Sequence, residues 1–390
     1  MQYRELGHSG IEVSALGFGC MRFPTVDKGN EHISMFERPI KETEVEEMLV
    51  YAVEKGINYF DTAYPYHGGR SEKIVGKVLK PYRHKVMITT KLPARMVQKP
   101  SDIQKFFNEQ MERLDTEYLD FYLLHGLNRH TWANMKEYGA LDFIEKLMSE
   151  GTVRHTGFSF HDEVRIFKEI VDGYDWTLCQ IQYNFFDENR QAGREGLQYA
   201  ASKGMGVVIM EPLRGGSLTG NQPPSVQAIW DSANLKRTPA EWGLRWVFNQ
   251  PEVSLVLSGM SAMAQVIENI NVVEDAKAGS LNEEELALVS KVQEEYEEML
   301  KVDCTGCGYC MPCSNGVDIP MNFGAYNDYY IFDDHRPALM RYNRMMAEEQ
   351  RASNCQDCGE CEEKCPQKIG IVDELKNVHA LLHNEEESNI

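Results

Sequence analysis

The stretch "GINYFDTAYPYHGGRSE", residues 56–72, decides the architecture. Its short apolar run stops at Asp61, and a polar, glycine-containing loop follows. The same beat returns along the chain. "VMITT" stops at Lys91, "DFYLL" at His125, "RHTGF" at Ser159, "WTLC" at Gln180, "VVIM" at Glu211 and "SLVL" at Ser258. Helix-period segments separate these runs, mostly at steps of about thirty residues, the length of one strand–helix unit. Adding the early run "VSALGFGC" makes eight strands, each followed by a helix.

Helix starts agree with this register. "TEVE" at Thr43, "SDIQ" at Ser101 and "TPAE" at Thr238 each place a hydroxyl three residues before Glu or Gln, the capping-box spacing. Pro239 adds the residue preferred at a first helical position. Eight strand–helix units close into an α/β fold of the (β/α)8, or TIM-barrel, type. A doubly wound sheet fits less well, because no G-x-G-x-x-G turn follows the first strand. The opening "YRELGHSGIEVSALGFG" predicts a hairpin around "HSG" that plugs the bottom of the barrel. The expected division is a barrel over 1–280, a connecting helix over 281–303 and a small, mainly helical domain over 304–390.

In such a barrel the carboxyl ends of all strands converge on one rim, where the chemistry sits. Asp61, Lys91, His125, Ser159 and Gln180 then face one another. A single polar strand end merely closes its strand; seven in succession favour an active site.

The totals narrow the rest. The chain has 390 residues, enough for one large domain and an extra module. Its net charge of −20 argues against nucleic acid as a partner. Much of that charge lies on helix faces such as "NEEELALVSKVQEEYEEML" and in the tail "NEEESNI", which read as solvated. No apolar run approaches the roughly 18 residues of a membrane span, and the polar start lacks the core of a signal peptide. A cytoplasmic location is expected. There clustered cysteines read as metal ligands before disulfides.

"FDTAYPYHGGRSE", "ITTKL", "DFYLLHG", "TGFSF", "CQIQYN" and "AEWGLRW" together resemble the aldo-keto reductases over about residues 1–300. The resemblance implies an NAD(P)H-dependent oxidoreductase that interconverts a carbonyl and an alcohol. It also implies a catalytic tetrad of Asp61, Tyr66, Lys91 and His125. The chemistry is coherent by itself. Hydride addition to a carbonyl builds charge on oxygen, so a proton donor must be at hand. Tyrosine is a poor acid, with an ordinary pKa of about 10, and a nearby ammonium favours its phenolate. Lys91 supplies that ammonium, Asp61 fixes Lys91, and His125 orients the carbonyl oxygen. Tyr64 and His67 are alternative contacts for substrate on the same loop.

The resemblance also implies a nicotinamide site. Ser159 and Gln180 match the residues that hold the carboxamide, whereas Phe160 stands where an Asn is usual, with His161 as a substitute. Met210 replaces a stacking tyrosine; it packs on the ring or is core. Met21 and Arg22, after the first strand, touch the cofactor. Arg214 in "EPLRGGSL" meets a pyrophosphate. Asn269 matches the adenine-binding helix. Gly259, Met260 and Gln265 occupy the places of basic residues for a 2′-phosphate, so NADPH and NADH both stay open, and amides near Ser261 are a second phosphate site. Cys20 and Cys179 read as buried inert thiols.

Two cysteine runs close the chain. "CQDCGECEEKCP" is C-x2-C-x2-C-x3-C-P, the bacterial ferredoxin pattern. "CTGCGYCMPC" is a near match with x2 before its last cysteine. Eight thiolates suffice for two 4Fe–4S clusters. In two-cluster proteins the fourth cysteine serves the other cluster, which groups Cys304, Cys307, Cys310 and Cys365, and separately Cys355, Cys358, Cys361 and Cys313. Two structural zinc sites are the alternative. The module resembles the ferredoxin-like tails on one branch of aldo-keto reductases. A hydride carries two electrons and a cluster passes one, so a flavin or ferredoxin-type partner is expected, unless the tail is structural. A non-catalytic nicotinamide-binding redox sensor or electron-transfer subunit is the alternative function.

Overall fold

The computed structural model describes residues 1–26, 38–220, 222–304, 306, 310–365 and 367–383. Two compact units emerge: Met1–Gly215 with Ala240–Asn282, and Gly216–Pro239 with Glu283–Ile390.

The first unit opens with the expected hairpin. Strands β1 (Tyr3–Glu5) and β2 (Glu12–Ser14) pair antiparallel. Eight parallel strands then close into a barrel: β3 (Leu16–Gly19), β4 (Tyr59–Asp61), β5 (Met87–Leu92), β6 (Leu119–Leu127), β7 (Val153–Phe160), β8 (Leu178–Gln182), β9 (Gly206–Met210) and β10 (Leu255–Ser258). Strand β10 pairs with β3 and shuts the ring.

Side chains along a strand alternate between faces, and this sets the interior. Tyr59, Phe121, Leu123, Leu178, Val208 and Leu255 form one apolar layer inside the barrel, joined by Leu6 and Val13 of the hairpin. The hairpin therefore does stopper the amino-terminal end. Gly7 and His8 confirm the position: His8 N donates to Gly204 O at 2.8 Å, just before β9. Two residues further along each strand, on the same face, come Asp61, His125, Gln180 and Met210. The period of two lifts them directly above the plug.

Two helix starts differ from expectation. The helix Glu42–Glu54 begins two residues early, with Lys41 rather than Thr43 flanking it. The helix Pro100–Leu114 is flanked by Lys99, and Asp102 rather than Ser101 caps it, accepting from Gln98 N and Lys99 N at 3.0 and 3.2 Å. A carboxylate is the stronger acceptor and wins the position from the hydroxyl. The helix Pro239–Phe248 begins at Pro239 as expected.

The second unit is helical. Helices Ile319–Ile331 and Ile371–Leu382 pack on each other, and Phe323, Tyr326, Tyr342, Val378 and Leu382 fill their core. Helix Glu283–Glu298 belongs here, with Arg237 paired to Glu285 at 2.7 Å.

Helices Arg70–Leu79 and Pro100–Leu114 cross where Gly76 has no side chain. A Cβ there stands 2.2 Å from Leu114 O. Backbone cannot yield as a side chain can, so Gly76→Ala is expected to cost roughly 1–3 kcal/mol, read as a lowered urea midpoint.

Candidate functional site

Four residues named from sequence meet at the carboxyl rim. Lys91 Nζ lies 2.5 Å from Asp61 Oδ1 and 2.9 Å from Thr62 O. The Lys91 side chain is fully buried, and Asp61 is 3% exposed. Tyr66 follows β4 on a one-turn helix, Tyr66–Gly69, and its ring centroid stands 5.1 Å from Lys91 Nζ. His125, on β6, meets Tyr66 edge-on with ring centroids 5.9 Å apart. Tyr66 and His125 are partly exposed, so a small molecule can reach them.

Burial raises the Asp61 carboxyl above its ordinary range, against the pull of Lys91 and of Gln180. Burial depresses the Lys91 ammonium, but Asp61 and Tyr66 overcome it and leave Lys91 more basic than usual. Tyr66 differs from expectation. Burial raises its phenol more than Lys91 lowers it, with Asp61 adding to the rise. Tyr66 thus rests as a protonated phenol, and the ammonium limits the cost of its deprotonation rather than forming a standing phenolate. His125 is pushed well below the ordinary histidine range, first by burial, then by Lys91, His161 and Arg95. It is neutral at pH 7.

A buried network grips this group from behind. Glu72 Oε1 accepts from Thr90 Oγ1 at 2.6 Å and Gln110 Nε2 at 2.8 Å, while its Oε2 accepts from Arg113 at 3.1 Å. Gln110 Nε2 also reaches Lys91 O at 3.0 Å, and Tyr122 OH donates to Gln110 Oε1 at 2.9 Å. Arg113 holds Tyr64 O at 3.2 Å, beside Tyr66. None of these partners stood out in the sequence, because a buried Gln on an amphipathic helix carries no local signature.

The residues expected at a nicotinamide divide. Ser159 and Gln180 are buried at the rim. Ser159 Oγ accepts from Gly126 N at 2.8 Å, and Gln180 Oε1 makes no hydrogen bond to a described residue. A buried carbonyl without a donor suits a carboxamide N–H, so the residues present fit the group. Phe160 turns away into the core against Phe167, with centroids 5.2 Å apart. His161 Nδ1 meets Gln191 Oε1 at 3.2 Å. Met210 is partly exposed at the end of β9. The partly exposed Arg22 crosses two glycines: a Cβ on Gly215 falls 2.8 Å from Arg22 Nη2, and one on Gly259 3.2 Å from Arg22 Cδ. Met21 precedes it, also partly exposed.

Three expectations shift in detail. Arg214 Nε donates to Asp187 Oδ2 at 2.9 Å and the side chain is buried, so its charge is balanced within the protein. Gln265 Oε1 takes Ser261 N at 2.8 Å, which engages one of the amides proposed for a phosphate. Asn269 is buried and donates to Ser258 Oγ at 2.9 Å.

In the second unit Cys310, Cys313, Cys355, Cys358 and Cys361 line one pocket. Among the described residues no group of three or more Cys, His, Asp or Glu side chains closes on a single point. Cys304 and Cys365 pack in the core of the unit. Cys307 lies outside the described residues. Two buried asparagines on one helix hold the approaches to both runs. Asn327 Oδ1 accepts from Lys301 N and Val302 N, each at 2.9 Å, ahead of Cys304. Asn322 Oδ1 accepts from Ala352 N at 2.9 Å, ahead of Cys355.

A closed parallel barrel with this rim defines an oxidoreductase scaffold. Residues 15–294 match the aldo/keto reductase family, and the chain belongs to that family. Residues 303–369 match a 4Fe-4S dicluster domain. An uncharacterized oxidoreductase, YqkF, of Bacillus subtilis is 29% identical over 327 residues, 76% of this chain and 98% of its own length. L-galactose dehydrogenase of Arabidopsis thaliana is 28% identical, over 77% of this chain and 96% of its own. Among solved structures, the holo form of aldo-keto reductase AKR11C1 from Bacillus halodurans superposes with a TM-score of 0.62 at 28% identity, covering 75% of this chain and 96% of its own. No helix among the described residues is long and apolar enough to cross a membrane.

His67, next to Tyr66, has a φ of 51° and a fully buried ring stacked on Phe23. Burial, then Arg70, pushes its imidazole down to about 4. Its folded pKa lies below its unfolded value, so the stability from keeping it neutral is complete above about pH 6.5 and is lost as pH falls through about 4. That amounts to about 3 kcal/mol. His67→Asn tolerates the left-handed backbone and does not titrate. Its loss of stability between pH 7 and pH 4, read by denaturant melts, is expected to be smaller than that of the parent.

Proposed function

We propose that this protein reduces a carbonyl to an alcohol, or runs the reverse reaction, with NADPH or NADH. The carrying observation is the buried Asp61–Lys91 pair at 2.5 Å beneath the rings of Tyr66 and His125. A bound reduced nicotinamide supplies the hydride. Ser159 and Gln180 hold its carboxamide, with Met21, Arg22, Met210, Gly259, Gln265 and Asn269 along the remainder of the molecule. Tyr66 donates its phenolic proton to the carbonyl oxygen. Its raised pKa keeps the proton in place through neutral pH and makes the phenol a weaker acid, so its release depends on the neighbouring ammonium. As the proton leaves, Lys91 stabilises the nascent phenolate, and Asp61 keeps Lys91 from turning away. His125, held neutral, donates an N–H to the same oxygen and orients it.

The tail holds two 4Fe–4S clusters in this reading. Cys313, Cys355, Cys358 and Cys361 ligate one, supported by their shared cavity. Cys304, Cys307, Cys310 and Cys365 ligate the other. Iron–sulfur chemistry of this kind suits a reducing cytoplasm, and a flavin or ferredoxin-type partner bridges one-electron and two-electron steps.

Two measurements check these assignments. Tyr66→Phe removes the acid and is expected to lower kcat for aldehyde reduction by about 10²-fold or more, while leaving nicotinamide affinity by fluorescence titration within about twofold. Unchanged turnover would remove the reductase reading. Cys358→Ser, purified anaerobically, is expected to lose about half the iron and sulfide of the parent. A parent holding zinc and no sulfide would overturn the cluster assignment.

A further inference from the structure

Several cations around the rim are paired. Lys91 pairs with Asp61, Arg113 with Glu72 and Glu109, Arg129 with Asp162 and Glu163, and Arg165 with Glu163. Arg95 differs. It sits on the turn Ala94–Met96 just beyond Lys91, is exposed, and makes no ion pair or hydrogen bond with any described residue. A chain of net charge −20 offers carboxylates in abundance, so an unmatched guanidinium at this place calls for a cause.

Its neighbours point to one. Strands β5, β6 and β7 are consecutive in the barrel. The turn bearing Arg95 follows β5 and packs on β6, which carries His125. His161 directly follows β7, tied to β6 by its N–H to Leu127 O at 2.9 Å. Arg95 and His161 therefore flank His125 on either side, at the open end of the barrel. The Arg95 charge reaches both rings: at His125 it follows burial, Lys91 and His161, and at His161 it follows burial and Glu211. Glu211 also acts on His161, and it forms no ion pair with Arg95. His161 Nδ1 is engaged by Gln191, and its Nε2 makes no hydrogen bond to a described residue.

We propose that Arg95, with His161 beside it, binds an anionic group, a carboxylate or a phosphate, carried by the carbonyl substrate. The substrate class is then an oxo-acid or a phosphorylated aldehyde or ketone. This rests on the reductase reading above. The physical need is plain: a strongly acidic protein repels an anion, and a local guanidinium that matches carboxylate and phosphate geometry reverses the field where the substrate docks. The carbonyl is then turned toward Tyr66 and His125 by a contact that takes no part in the chemistry.

The test compares matched pairs: 4-oxobutanoate against butanal, and glyceraldehyde 3-phosphate against glyceraldehyde. The parent is expected to favour the charged member of at least one pair in kcat/KM. Arg95→Met should lower that charged-to-neutral ratio about ten- to a hundredfold, and Arg95→Lys should restore part of it. No preference in either pair, or a ratio unmoved by Arg95→Met, overturns the inference. If none of the four is reduced, the reductase reading fails and calorimetry decides the anion site alone. Succinate or glycerol 3-phosphate bound by the parent and lost in Arg95→Met upholds it; no binding by the parent overturns it.

Discussion

A lysine with no exposed surface, 2.5 Å from an equally buried aspartate, is the constraint around which the first unit is organised. Either charge alone in that interior costs several kcal/mol, and together they are tolerable only in close register with further acceptors. Thr62 O supplies such an acceptor. Strands β4 and β5 must therefore stay in one alignment, with Asp61 paired to Thr89 and Lys91 one step of the pleat above it. A one-residue slip of either strand would turn its charge out of the barrel and leave the other without its partner. Stability is a weak reason to keep such a pair; its value lies in holding an ammonium beneath the Tyr66 ring.

That precision has to be carried outward. Gln110 holds the main chain of Lys91, and Glu72 joins Gln110 to Thr90 and to Arg113. Arg113 in turn holds the loop before Tyr66 through Tyr64 O. A single buried polar network thus ties the strand bearing the lysine to the loop bearing the tyrosine. Loops are ordinarily the softer part of a barrel, and this one also passes through left-handed residues at His67, Gly68 and Gly69. The network compensates for that softness, and a low dielectric makes each satisfied bond count for more.

Much of this was legible in sequence because it is periodic. The residue that ends an apolar run lies at the end of its strand, and the period of two places it inside or outside. Asp61, Lys91, His125, Ser159 and Gln180 follow from that rule, as does the hairpin plug. What escaped was anything requiring a choice between partners. Nothing local tells that Arg214 turns to Asp187 rather than toward a ligand, or that Gln265 folds back on Ser261. Asp102 displacing Ser101 as the cap is a competition between two acceptors within one turn. The Tyr66 phenol is the clearest case. The expected influence of Lys91 is present, but burial, which no motif encodes, outweighs it.

The second unit solves a different problem with a related device. Its cysteines lie on short irregular segments, which lack a ladder of their own to fix them. Asn322 and Asn327 share one helix and use both ends of their amides on the main chain ahead of the two runs. A side-chain amide both donates and accepts, so one residue satisfies the N–H and C=O groups that irregular backbone leaves open. The main chain leading into each cysteine run is thereby anchored by protein hydrogen bonds. One pocket brings together Cys310 and Cys313 from the first run and Cys355, Cys358 and Cys361 from the second. The asparagine-bearing helix, bonded to the main chain ahead of each run, is the element that links the two halves of the unit.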